Sequence, residues 1–486
     1  MRGHDESDSS DNPGIFRGLV DLMASIDHDL RQHLENATVF KGTSKTVQNE
    51  ILDCMLAVLR ERIVEEVKAA KFLAIQADET TDISTHCQLV MVLRYIDQRN
   101  RIQERFFEFI KLPNACADAI ASALSERLRF ILPQGQERKL IAQAYDGAAV
   151  MRGTTGGVQL LDEVVAHRLP SASATRWNFN SRAVNTVYEH KDDLVRCFQT
   201  IRNSEGFDAP TKRDAGGFVR MLEDEAFCFF LALFHKIMPH VDMLYNHLQK
   251  RNIDSVTIAG ITQTFISRMQ AIREALPNLV VDEEYRGPVQ DPPTKRRRTL
   301  GEDRQHHLAL EVCDTIMSHA KERFSFTKHL VSATLLQGDL FQQHSKNFPD
   351  AALQTTVEAY PSLDKARLKT ELSLIYDNEE FQSCSGALAL YQVLMENNLQ
   401  DTFTETVSLL NILITTPMTT SESERCFSTL KRIKTFLRNN MAQDRLNALA
   451  MLSIEKKLTQ ELPDFNTRVI EKFATQKDRR AKFLYK

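Results

Sequence analysis

The apolar positions of this chain change period several times between its two ends. Ile15, Phe16, Leu19, Leu22, Met23, Ile26, Leu30 and Leu34 recur at three- and four-residue intervals and predict a helical stripe. A longer helix is expected from about 45 to 71, with Ile51, Met55, Val58, Leu59, Ile63 and Val67 on one side. The period then shortens. FLAIQAD (72–78), QLVMVLRYI (88–96) and IQERFFEFI (102–110) are runs rich in Val, Ile, Leu, Phe and Tyr between polar turns, and they predict three strands. A helix through Ala119, Ile120, Ala123, Leu124 and Leu128 follows, and KLIAQAYD (139–146) predicts a fourth strand. Three strands in a meander, a helical crossover and a fourth strand returned beside the first is the expected order.

Beyond residue 181 the pattern is helical to about 276, with AFCFFLALFHKIM (226–238) as a buried centre. Residues 277–307 have the composition of an exposed loop. Near the C-terminal end, Ser421 and Glu424 have capping-box spacing, and Phe427, Leu430, Ile433 and Leu437 recur at helical intervals. Lys431, Arg432, Lys434 and Arg438 fall largely between them and give the predicted helix a basic outer side. A second helix from about 442 to 458 carries Leu446, Leu449, Leu452 and Ile454, apolar enough to require a partner.

Composition narrows the class. The 486 residues are 42% hydrophobic and 26% charged, as in ordinary soluble globular proteins, and leave room for two or three domains. A formal net charge of −4 argues against a uniformly basic nucleic-acid coat, yet residues 421–486 hold 15 Lys+Arg against 8 Asp+Glu. That local excess suits a phosphate-facing surface, an interface or a solvated helix face. The eight cysteines are scattered with no zinc-finger spacing, which points to a reducing compartment. No apolar run reaches about eighteen residues, so no membrane span is expected.

The acids carry the candidate chemistry. The expected topology is the opening order of a ribonuclease-H-like fold, and it places Asp78 and Asp146 at the ends of parallel neighbouring strands. With a third acid, such a pair can hold Mg2+ or Mn2+ for hydrolysis or transfer at a phosphodiester. Asp is also a common turn residue at strand ends, and Asp82 or Glu79 is an alternative for the inward-pointing position.

Longer strings resemble a known family. PMTTSESERCFSTLKRIKTFLRNNM followed by QDRLNALAMLSIEKKL resembles the C-terminal dimerisation region of hAT-superfamily transposases, in the branch similar to zinc finger MYM-type 1-like proteins. QADETTDIS and AQAYDGAAVMRGTTGGVQ resemble the segments bearing the first two transposase acids, Thr175-Arg176-Trp177 keeps a family motif, and 360–377 again resembles the family. The resemblance implies Asp78, Asp146 and Glu424 as catalytic metal ligands, and a DNA-distorting role for Trp177; a packing role for Trp177 is the alternative. Arg176, Trp177, Lys431, Arg432 and Lys434 are the expected DNA contacts, and Phe427, Leu430, Leu446, Leu449 and Leu452 the expected dimerisation residues.

The resemblance also breaks. Between GGVQ and Thr175 the chain reads LLDEVVAHRLPSASA, where His167 fits the family pattern but Val164 replaces its Cys and tens of residues are missing. The zinc-binding DNA reader that precedes RGHDES in the family is likewise expected to be absent. The expected architecture is α/β plus all-α: a polar N-terminus and helix (1–43), the first part of a ribonuclease-H-like core (44–180, truncated after 159), a helical insertion (181–399), a helical dimerisation region (400–459) and a basic tail (460–486). The expected function is that of a catalytically inactive, homodimeric, nuclear transposase derivative, with DNA as a second partner and Lys295 to Arg298 as a candidate nuclear signal. An active transposase and a structural interaction module without nucleic acid are the alternatives.

Overall fold

The computed structural model describes residues 14–38, 40–114, 116–133, 135–145, 167–170, 177–204, 208–250, 253–276, 302–324, 328–384, 386–435 and 441–476. Its first helices are α1 (Ile15–Ile26), α2 (His28–Asn36) and α3 (Lys45–Ala69), and α3 starts on the Ser44 side chain, which accepts from Val47 N. Strands β1 (Leu73–Thr81), β2 (Cys87–Ile96) and β3 (Ile102–Leu112) follow, then α4 (Ala117–Ile131), β4 (Leu140–Tyr145) and β5 (His167–Pro170).

The strands form one mixed sheet in the order β3-β2-β1-β4-β5. β1–β2 and β2–β3 are antiparallel, while β1–β4 and β4–β5 are parallel. The meander and the return of the fourth strand beside the first are therefore both present. β5 was not foreseen, because a four-residue strand carries too little periodicity to be read. Each hairpin turns on an aspartate whose carboxylate accepts backbone N–H groups: Asp82 from Ser84 and His86, Asp97 from Arg99 and Arg101. Thr85 and Asn100 take the positive φ that these turns need.

The two ends of the chain share a core. Val58, Leu59 and Ile63 of α3, Leu73, Ile75 and Phe106 of the sheet, and Leu430, Leu446, Met451 and Phe473 belong to one buried cluster. The helix Ser421–Ile433 packs on β1 and β2, while Gln443–Ile454 packs on α3 and β3. The helix Phe465–Thr475 also lies against α3 and buries Phe465, Val469 and Phe473, so part of the expected basic tail belongs to the core. Its apolar residues recur every fourth position, and that stripe outweighs the local charge.

The intervening sequence is helical among the described residues. Glu225–Leu248, Ser255–Ala275 and Glu302–Phe324 enclose a second cluster around Phe229, Leu233, Ile237, Met269 and Cys313. Among the described residues, Glu225–Leu248 is the helix long and apolar enough to cross a membrane by length and composition. Here those apolar residues pack on neighbouring helices. A third cluster, from Leu335 to Ile414, reaches the sheet through Ile96. The loop expected at 277–307 ends earlier than predicted, since 302 onward is helix and 277–301 lie outside the described residues.

Candidate functional site

β1 is covered on both sides, and Asp78 near its end is 6% exposed, with its carboxylate accepting from Glu79 N. The parallel register between β1 and β4 runs to Ala77 opposite Tyr145. The next residues in sequence are Asp78 and Asp146, and Asp146 lies outside the described residues.

Glu424 stands in the first turn of Ser421–Ile433 and is half-buried. Two contacts give that helix its direction over the sheet. Arg94, opposite Ala74, donates to Ile414 O shortly before the helix begins, and Lys434 at the helix end donates to Asp82 just past β1. The helix therefore runs the same way as β1. Glu424 lies about 15 Å back along it from Lys434, and Asp78 about 13 Å back along the strand from Asp82. Carboxylate oxygens are the right donors for a hard divalent cation. Asp78 and Glu424 thus fit as two members of such a set, at similar levels on adjacent elements. Among the described residues, no three His, Cys, Asp or Glu side chains converge on one point.

The capping box is a correction. Thr420 occupies the N-cap and makes no side-chain cap bond, while Ser421 Oγ, one position inside the helix, donates to Leu248 O at 3.3 Å. A tertiary acceptor won the hydroxyl from the local one.

Asp82 is no metal candidate in this arrangement. Its Oδ2 accepts from Lys434 Nζ at 2.6 Å and from Gln88 Nε2 at 3.1 Å, and both ion-pair side chains are buried. Burial works to raise the Asp82 carboxyl, but hydrogen bonds from Lys434, His86 N, Gln88 and Ser84 N outweigh it and hold it below the usual carboxylate range. A depressed folded value contributes stability that is present above the unfolded value near pH 4 and is lost as pH falls through the folded one. Thermal melts between pH 7 and pH 2.5 should accordingly show a steeper loss below about pH 4 for the native chain than for Asp82→Asn; parallel curves would remove this ion pair from the acid response.

Lys434 thus departs from the expected basic outer side. It follows the apolar spacing Phe427, Leu430, Ile433 closely enough to turn inward, and Asp82 neutralises it there. Lys431 and Arg432 remain exposed, with Arg432 also donating to Thr429. Trp177 opens the helix Trp177–Glu189, while Arg176 and Arg438 lie outside the described residues.

The expected dimerisation residues divide in two. Leu430 and Leu446 are 2% and 0% exposed inside the chain's own core, so neither side chain meets a partner. Their helices bury one face on the sheet, and those two leucines lie on it. Phe427, Leu449 and Leu452 are half-buried, and Phe427 stacks on Phe109 with ring centroids 6.3 Å apart.

The polar residues that seat this region were not read from the sequence. Asn447 Oδ1 accepts from Phe109 N and its Nδ2 donates to Phe109 O, so one amide pairs with the free edge of β3 as a neighbouring strand would. Gln443 donates to the same carbonyl, and Glu455 accepts from Phe106 N at 2.7 Å while pairing with Arg105 at 3.0 Å. A β-bulge at Phe107 sits between these contacts, where Met91 pairs with Glu108 and Val92 with Phe106. The sequence signal was charge: Arg94 interrupts the apolar run QLVMVLRYI, and Arg105 stands in the polar triplet Gln103-Glu104-Arg105 at the start of β3.

Known families match both ends of this shared core. Residues 1–157 match the family described as ZMYM1/FAM200, RNase-like domain, and residues 395–458 match the hAT family C-terminal dimerisation region. A 100-residue stretch is 27% identical to the human 52 kDa repressor of the inhibitor of the protein kinase, and the mouse protein of that name is 25% identical over 100 residues. Each match covers 20% of this chain and 13% of the relative's length. The chain therefore carries, in this order, a region similar to the ZMYM1/FAM200 RNase-like domain and a region similar to the hAT C-terminal dimerisation region.

Proposed function

We propose that this chain is a self-associating transposase derivative, built on a ribonuclease-H-like core, in which the ancestral metal-dependent DNA cleavage and strand transfer has been lost. The observation that carries this reading is the shared core of residues 54–140 and 426–473, which joins the RNase-like and hAT regions across a long helical insertion. Asp78, Asp146 and Glu424 are the residues that would hold Mg2+ or Mn2+. When bound, such an ion supplies activation of a water or 3′-hydroxyl and neutralises charge developing on the phosphate. Loss of the chemistry is supported by the sequence itself: the segment that the family places between its second acid and its Thr-Arg-Trp motif is largely missing here.

Self-association is supported by the match to the dimerisation region. The expected phosphate contact falls to Lys431 and Arg432, whose side chains reach solvent, and a nuclear location accompanies this reading. The test is calorimetric titration of Mn2+ into the native chain and Asp78→Asn, followed by Mn2+-dependent cleavage of duplex DNA. We expect no cleavage by either protein. Cleavage by the native chain that disappears in Asp78→Asn would assign an active transposase instead.

A further inference from the structure

A cleft of about 470 Å3 opens in the helical insertion, between Glu225–Leu248 and Ser255–Ala275. That size falls within the range of about 300–1,000 Å3 taken by small-molecule sites. The two helices are joined by a short connection and pack on one another, so they run antiparallel. His240, Leu244 and His247 line the cleft from the first helix, and Gly260, Ile261, Phe265 and Arg268 from the second. Gly338, Cys384 and Gly386 close the end beside the connection, where the glycines permit an approach that a side chain would block. A Cβ on Gly338 would stand 2.7 Å from Cys384 O, and one on Gly386, whose φ is +116°, would stand 2.7 Å from Thr257 Oγ1. Buried Asp254 holds this end together, accepting from Thr257 N at 2.8 Å and from Leu388 N at 3.3 Å.

The two ends of the cleft differ in charge. Asp339 stands at the glycine end, where it accepts from Gln337 Nε2 at 3.2 Å. Arg268 stands at the other end, within electrostatic reach of half-buried His240. Arg273, further along the same helix, pairs with Asp314 at 2.7 Å, whereas among the described residues no carboxylate pairs with Arg268. Burial, and after it the Arg268 charge, lowers the His240 imidazole, so at pH 7 it is neutral and keeps one ring N–H to donate. We propose that this cleft binds a small amphiphilic carboxylate, with its hydrocarbon part between the two helices and its charge at Arg268 and His240. One guanidinium balances one negative charge, which favours a carboxylate over a dianionic phosphate. Asp339 repels an anion from the glycine end, so the ligand has one orientation. The closed end and the limited volume select a small molecule over a peptide that runs through.

Calorimetric titration of the full chain at pH 7 with octanoate, octanol and acetate tests this. Octanoate should bind saturably and about tenfold more tightly than octanol, since the charge-assisted hydrogen bonds go to the acid alone. Acetate, which has the charge without the chain, should not bind. Arg268→Gln should bring octanoate down to the level of octanol. Gly260→Leu should abolish binding of both, because its side chain fills the cleft. A Cβ at Gly260 meets only Gln337 Nε2, at 3.7 Å, and leucine is the better helix former, so this variant should fold, as an unchanged thermal melt would show. Native chain that does not bind octanoate, or octanoate binding untouched by Gly260→Leu, overturns the cleft as the site. Octanol bound as tightly as octanoate, or Arg268→Gln without effect, overturns the carboxylate as its ligand.

Discussion

Arg94→Met is expected to destabilise the folded chain by about 3–5 kcal/mol, read as a lowered urea midpoint at pH 7. Arg94 is 1% exposed in the middle of β2. Its Nη1 pairs with Glu104 on β3 at 2.7 Å, its Nη2 donates to Ile253 O at 2.8 Å, and both Nε and Nη2 donate to Ile414 O. One guanidinium thus ties the sheet to one segment of the helical insertion and to one of the C-terminal region. Methionine keeps much of the volume but supplies no donors. Among the described residues it leaves Gln76 as the side-chain donor to Glu104, and it strips donors from two buried carbonyls. The double variant Arg94→Met/Glu104→Met should recover a large part of the loss, because it removes the uncompensated charge as well. A double variant as unstable as the sum of the two single ones would place the cost in the carbonyl contacts.

Glu455→Ala should cost a similar amount, about 3–5 kcal/mol, and should also promote aggregation on mild heating. Two groups lose their partner at once: Arg105, 6% exposed, and the N–H of Phe106 on the edge strand. Of its carboxylate contacts among the described residues Arg105 then keeps the longer one to Glu66 at 3.7 Å, and Glu66 already accepts from Tyr95 at 2.6 Å. Burial and then the Glu66 carboxylate push the Tyr95 phenol well above its ordinary value, so it stays protonated and remains the donor. Glu455→Gln separates the two losses. An amide oxygen can still accept from Phe106 N, while the charge pairing with Arg105 is gone. If Gln restores low light scattering but not the urea midpoint, the carboxylate's edge-covering and charge-pairing roles are distinct. If Gln behaves as Ala in both measurements, the ion pair alone holds this region down.

Much of the sheet was legible because its signals are local. Alternating Val, Ile, Leu, Phe and Tyr marked β1, β2 and β3 to within a few residues, and their order gave the antiparallel meander and the parallel return of β4. The same reading placed Glu424 in the first turn of a helix and ended the first strand at Asp78, where the strand in fact runs on to Thr81. Whether the acids come together does not follow from period and position; Asp146 lies outside the described residues, and among those described no three metal-ligating side chains meet.

What the sequence by itself determined is the series of elements, the acids they carry and, through long matching strings, the likeness of the C-terminal region to the hAT dimerisation region. What only the tertiary structure decided is which side of each late element faces inward. Lys434 reads as an outer cation on a helical wheel, yet it pairs with Asp82, 352 residues earlier. Ser421 has capping spacing but donates to Leu248, and Leu446 looks like a free apolar side chain yet lies under α3 and the sheet. Asn447, Glu455 and Arg94 find backbone or charged partners 338, 350 and 320 residues away. Periodicity registers neighbours within a turn or a strand pair, whereas buried polar groups are fixed by whichever partner the packed chain brings within about 3 Å.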